Sequence, residues 1–173
     1  MEIRLKRYYG DAEVTKSVME VWMQGEESPR MVCEAREAAF RDYEVTFRGV
    51  SAFCMPRGRW RMRAGGSPYG AMGLRVPRCA GHRQVFVGWK AGRQALEGEV
   101  LVGVGVLARE WNAAEWGDDP VARKAWEDRK RRIERGDEVF ERLSGLVYEA
   151  YGRGEEFWMV VENDSCCNAI YER

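Results

Sequence analysis

Polar and apolar residues alternate from Glu2 to Tyr8, with Ile3 and Leu5 on one side, and this period of two predicts a strand. After the Gly10-Asp11 turn, where Asp11 suits a helix N-cap, Val14, Val18, Val21 and Trp22 recur at helical spacing and predict a helix over residues 12–24. Ser28-Pro29 has the form of a second helix start, and Met31, Ala35, Ala38, Ala39 and Tyr43 continue it. Residues 44–53 are rich in β-branched and aromatic side chains and predict a strand broken by Pro56.

The run Arg57-Gly58-Arg59-Trp60-Arg61-Met62-Arg63 alternates without exception. On a strand it places Arg57, Arg59, Arg61 and Arg63 on one face, about 6.6 Å apart, and turns Gly58, Trp60 and Met62 to the core. Residues 64–78, with Gly65, Gly66, Gly70, Gly73, Pro68 and Pro77, read as a loop; residues 83–89 and 99–107 read as strands. In the second of these, Val100, Val102, Val104 and Val106 share a face and Gly103 and Gly105 lie opposite. Asp119-Pro120 opens a helix to about residue 135, Gly136 ends it, and Asp137 caps the next. That helix carries the clearest apolar stripe, Val139, Phe140, Leu143, Leu146, Val147, Ala150 and Tyr151. Residues 156–162 read as a last strand, and Asp164 or Ser165 as the cap of a short final helix. The mixed order predicts an α+β fold: a single domain over residues 1–173, with a mixed or antiparallel sheet packed against four helices.

The chain of 173 residues is 45% hydrophobic and 12% aromatic, which excludes a disordered polymer and allows a core that needs neither disulfides nor metal. The most apolar stretch, residues 100–108, falls far short of the roughly 20 residues that span a bilayer, and Glu2, Arg4, Lys6 and Arg7 crowd the start. The expectation is a cytoplasmic protein. Its five cysteines form no Cys-x-x-Cys pair and are expected reduced and mostly buried; no cofactor is implied.

Charge changes the picture. Acids and bases balance at 28 each, yet residues 45–96 contain no Asp or Glu and ten bases, nine of them Arg. The flanks therefore carry ten more acids than bases. Two readings follow: the basic segment neutralises the acidic flanks internally, or it forms an anion-binding surface. The candidate residues are Arg57, Arg59, Arg61, Arg63, Arg75, Arg78 and Arg83, whose guanidinium groups suit phosphate, with nucleic acid the first expected partner. Trp60 or Tyr69 would stack on bases if exposed. A different class is a small accessory or inhibitory protein docking on a larger protein or nucleoprotein complex through its acidic flanks.

An enzymatic reading rests on His82, the single histidine. The strand Gly81-His82-Arg83-Gln84-Val85-Phe86-Val87-Gly88 resembles the histidine strand of papain-like peptidases. In their permuted form a cysteine follows at a helix start, as Cys166 does within Asn163-Asp164-Ser165-Cys166-Cys167-Asn168. The resemblance covers about 20 residues in two pieces and implies a Cys166–His82 hydrolase. Cys79-x-x-His82 has the spacing of half a zinc site, but the adjacent Cys166 and Cys167 rarely both reach one ion, so no metal is assigned. The Gly65 to Gly70 run lacks the Gly-Lys-Ser/Thr of a nucleotide loop. Arg129 to Arg132 sits among Glu127, Asp128 and Glu134 and reads as a solvated helix face, and Glu110 and Glu115 as surface acids.

Overall fold

The computed structural model describes residues 1–10, 14–38, 54–66, 71–77, 84–89, 99–105, 120–121, 123–125 and 133–163. Its strands are β1 (Glu2–Gly10), β2 (Val14–Trp22), β3 (Met31–Ala38), β4 (Gly58–Gly66), β5 (Met72–Val76), β6 (Val85–Gly88), β7 (Glu99–Gly105), β8 (Ile133–Glu134) and β9 (Phe157–Asn163). One helix, α1 (Gly136–Gly152), separates β8 from β9.

The strands run in the order β3-β2-β1-β9-β4-β5-β6-β7-β8, and β3 also pairs with β7 through Glu34↔Gly103, Ala35↔Val102 and Arg36↔Leu101. That extra ladder closes eight strands into a barrel, with β8 appended to β7. Pairing is antiparallel except at β1–β9 and β6–β7, which are parallel. Inward residues alternate along each strand: Ile3 and Leu5, Met19 and Val21, Leu74 and Val76, Val85 and Val87, Val100 and Val102, Met159 and Val161 are all buried. An eight-stranded wall leaves an interior that such side chains fill.

Helix α1 plugs one end of that interior. Phe140, Leu143, Leu146, Val147 and Ala150 join the barrel core, Ser144 Oγ donates to Met72 O at 2.8 Å, and Arg142 donates to Arg30 O at 3.2 Å. The helix starts hard against the wall. A Cβ on Gly136 would sit 2.9 Å from Val102 O and 3.1 Å from the Trp89 Cβ, so glycine is required there. At the other end Cys54 and Met55 are buried beside an interior ion pair. Arg7 Nε and one terminal nitrogen donate to the two carboxylate oxygens of Glu37 at 2.9 and 2.8 Å. Met55 N–H donates to Glu37 at 2.9 Å, and Arg7 also donates to Met55 O and to Asn163 Oδ1.

The architecture overturns the α+β expectation: the protein is a closed β-barrel, not a sheet under four helices. The segment expected as a first helix, residues 12–24, contains β2. Its apolar period of two is interrupted because inward Thr15 and Ser17 are polar, which left Val14, Val18 and Val21 to mimic helical spacing. The second expected helix contains β3, whose inward Glu37 breaks the alternation in the same way; residues 39–53 lie outside the described residues. Part of the expected loop 64–78 is strand, at the end of β4 and in β5. Gly136 opens α1 rather than ending a preceding helix; of the helix expected to about residue 135, residues 120–121 and 123–125 are helical, but Ile133–Glu134 form β8. Strands β1, β6, β7 and β9 and the Val139–Tyr151 stripe fall where the pattern placed them. The final helix lies outside the described residues.

Candidate anion-binding face

Gly58 begins β4 with φ near 130°, a conformation that favours glycine, and from there the pleat decides everything. Arg59, Arg61 and Arg63 point outward and are exposed; Met62 is buried, and Trp60 is half-buried with its Nε1 donating to Pro56 O at 3.1 Å. Arg57 is exposed too, but it precedes the strand, so the ladder has three rungs on β4 rather than four.

The rungs differ in their partners. Arg59 lies 3.5 Å from Glu2, and Arg61 lies 2.8 Å from Glu156. Both acids come from the acidic flanks, so internal neutralisation accounts for two of the three rungs. The guanidinium side chains remain 59% and 68% exposed, and exposed pairs of this kind contribute at most about 1 kcal/mol. Arg63 is different. Its cross-strand neighbour is Arg75 on β5, also exposed, and neither has an acidic partner among the described residues. Like charges directly opposite on adjacent strands oppose pairing. Beside them, Arg61, Arg63, Ala64 and the exposed Tyr151 of α1 line one shallow depression, and Arg57 and Arg59 help line a second against Val160 and Glu162.

Next to β4 the barrel wall carries two tryptophans that the sequence reading did not single out for binding. Across the outer face, Trp22, Glu2, Trp158 and Arg61 form one register row, and Glu20, Arg4, Val160 and Arg59 form the next. Each indole is held in the same manner. Trp22 Nε1 donates to Glu20 at 3.0 Å, and the Arg4 guanidinium lies 4.6 Å from the ring centroid. Trp158 Nε1 donates to Glu156 at 3.3 Å, and the Arg59 guanidinium lies 4.4 Å from its ring. A second cation completes each group: Lys6 on Glu20 at 2.7 Å and Arg61 on Glu156 at 2.8 Å. The Lys6 hydrogen bond is the main influence that holds the Glu20 carboxyl below its usual range. Trp22, Trp158, Glu2, Arg4 and Arg59 line a third depression. The signal available in the sequence was the repeated Glu-x-Trp at Glu20/Trp22 and Glu156/Trp158, hidden because Trp22 was placed on a helix.

Of the remaining candidates, Arg78, Arg83, Tyr69, His82, Cys79, Cys166 and Cys167 lie outside the described residues, as do Glu110, Glu115 and Arg129 to Arg132. No group of His, Cys, Asp or Glu suited to a metal occurs among the described residues. The two described cysteines are poorly set for nucleophilic chemistry. Burial pushes the thiols of Cys33 and Cys54 up to about 12. Compared with known protein families, characterised proteins and solved structures, the chain matches none.

Proposed function

We propose that this is a non-enzymatic binding protein whose outer barrel face around β4 and β5 binds an anionic ligand, nucleic acid before others. The observation that carries the reading is the pair of Arg63 and Arg75, opposite each other on adjacent strands with no acidic partner among the described residues. A fold that only balanced its own charges would place an acid at one of those positions, as it does at Glu2 and Glu156 for Arg59 and Arg61. A bound phosphate removes the repulsion and takes up guanidinium donors suited to it. Arg59 and Arg61 support the same surface, because their weak exposed pairs exchange a carboxylate for a phosphate at small cost.

Five acids of the flanks are already engaged within the chain and weigh against docking through them. Glu2, Glu20, Glu37, Glu155 and Glu156 each already engage a cation of this chain. For the hydrolase alternative, both reacting residues lie outside the described part, and nothing described adds to it.

The test is the salt dependence of binding to oligonucleotides. Binding that rests on phosphate contacts weakens with a log–log slope of about −0.7 to −0.9 per phosphate. Replacing Arg63 and Arg75 together by Ala should flatten that slope by about 1.5 units. No binding at low salt by wild-type protein overturns the proposal.

A further inference from the structure

We infer that the ligand of this face is a single strand, with its phosphates along the β4 arginines and its bases laid over β9, β1 and β2 on the indoles of Trp158 and Trp22. The inference rests on the anion-face reading above and adds what lies beside the cations. Arg59, Arg61 and Arg63 repeat at about 6.6 Å along β4, a step of the same size as the phosphate repeat of an extended single strand. One strand over, at about 4.8 Å, stands Trp158; two further strands over stands Trp22, with Glu2 between them in register.

Three features point to bases rather than phosphates on that side. First, the cations beyond β9 are already paired, Arg4 with Glu2 and Lys6 with Glu20, so that side offers no second cationic track for a phosphate backbone. A duplex brings two such backbones; a single strand brings one and leaves its bases free to turn away from it. Second, each ring is fixed before any ligand arrives. Its N–H is bonded to a glutamate two residues earlier, a guanidinium lies against the ring, and both indoles border the same depression. A ring already ordered loses little freedom when a base settles on it. Third, stacking on an aromatic platform beside a cationic track is the general way in which unpaired bases are held without a sequence code.

The experiment uses the full chain, a fluorescein-labelled single-stranded oligonucleotide and the duplex of the same sequence. The single strand should bind at least tenfold tighter. Trp158→Ala should weaken single-strand binding by roughly 5- to 150-fold, the range for losing one base stack, and leave the salt slope unchanged, because the indole neutralises no phosphate. Trp158→Phe, which keeps a ring in the wall, should retain most of the affinity. Because Trp158→Ala removes a half-buried side chain, a second measurement uses wild-type protein: photocrosslinking to an oligonucleotide with iodinated pyrimidines should join at Trp158 or Trp22. Equal affinity for duplex and single strand, or a crosslink confined to other residues, overturns this inference while the salt slope keeps the anion face standing. Absence of any binding at low salt overturns both.

Discussion

Arg63 on β4 and Arg75 on β5 are direct cross-strand partners, both exposed, and neither has an acidic partner among the described residues. The pair costs folding free energy that a neutral pair would not, of the order of 0.2–1 kcal/mol. Arg63→Ala or Arg75→Ala alone should therefore raise the urea midpoint slightly while weakening oligonucleotide binding. Arg61→Ala should weaken binding as well but should not raise the midpoint, since it removes an arginine that Glu156 partners. Stability and affinity moving in opposite directions at Arg63 would be the signature of a residue kept for binding. A lowered midpoint in both single variants would assign the pair a structural role.

Leu143, 1% exposed in the stripe by which α1 plugs the barrel, should cost about 2–5 kcal/mol when truncated to Ala. Chemical denaturation measures this directly. A loss below about half a kcal/mol would mean that the interior collapses around the missing side chain.

The interior pair of Arg7 and Glu37 makes a different forecast. Removing one member, as in Glu37→Gln or Arg7→Met, leaves the other buried without its ion-pair partner and should cost about 3–5 kcal/mol. Arg7→Met with Glu37→Leu should cost clearly less than the two single losses added together. A double-mutant cycle supplies the number, and strict additivity would show that the two groups do not act as a unit.

Alkaline stability should respond to Tyr8. Burial first, and then the neighbouring Glu34 carboxylate, push its phenol up to about 12. A raised value means that the fold favours the neutral phenol. The contribution is complete below the ordinary value near 10 and is lost as pH rises towards 12. Urea midpoints should fall from about pH 9 to about pH 11 less steeply in Tyr8→Phe than in wild-type protein. Parallel curves would refute the assignment.

Thiol chemistry separates the described cysteines from the others. With thiols pushed up to about 12, Cys33 and Cys54 should stay unlabelled by a thiol reagent near neutral pH and react fully in urea. Mass mapping of the modified peptides checks this. A fast-reacting native cysteine should map to Cys79, Cys166 or Cys167, and fast labelling of Cys166 would revive the hydrolase reading.

The arginine ladder was legible because every outward position of the run is charged and every inward one is not, so local sequence alone sets its parity. The stripe of α1 and the strand of β9 were legible for the same reason. Strands β2 and β3 were not. Their inward sets include Thr15, Ser17 and Glu37, and Glu37 is there to meet Arg7 of β1 inside the barrel. Nothing near Glu37 in sequence announces that partner, and without it the residues read as breaks in alternation. The closing ladder between β3 and β7 is a pairing of distant segments with no local sign. At the candidate site, the cations could be listed from the charge pattern alone. That Arg63 meets Arg75, and that Trp22 and Trp158 share a face, depends on strand order and could not be read from either residue's neighbours.

The parallel pairing of β1 with β9 bears on how the chain reaches this state. Ile3 lies against Met159 and Leu5 against Val161, so β1 waits for β9, the last described strand in chain order, before its second edge is covered. Contacts of such sequence separation make for slow folding, in milliseconds to seconds rather than microseconds. During that wait β1 offers bare backbone donors and acceptors to any neighbouring nascent chain. Refolding yield should therefore fall with protein concentration well before native stability is affected, and co-translational compaction should be invisible until residues 157–163 have cleared the exit tunnel.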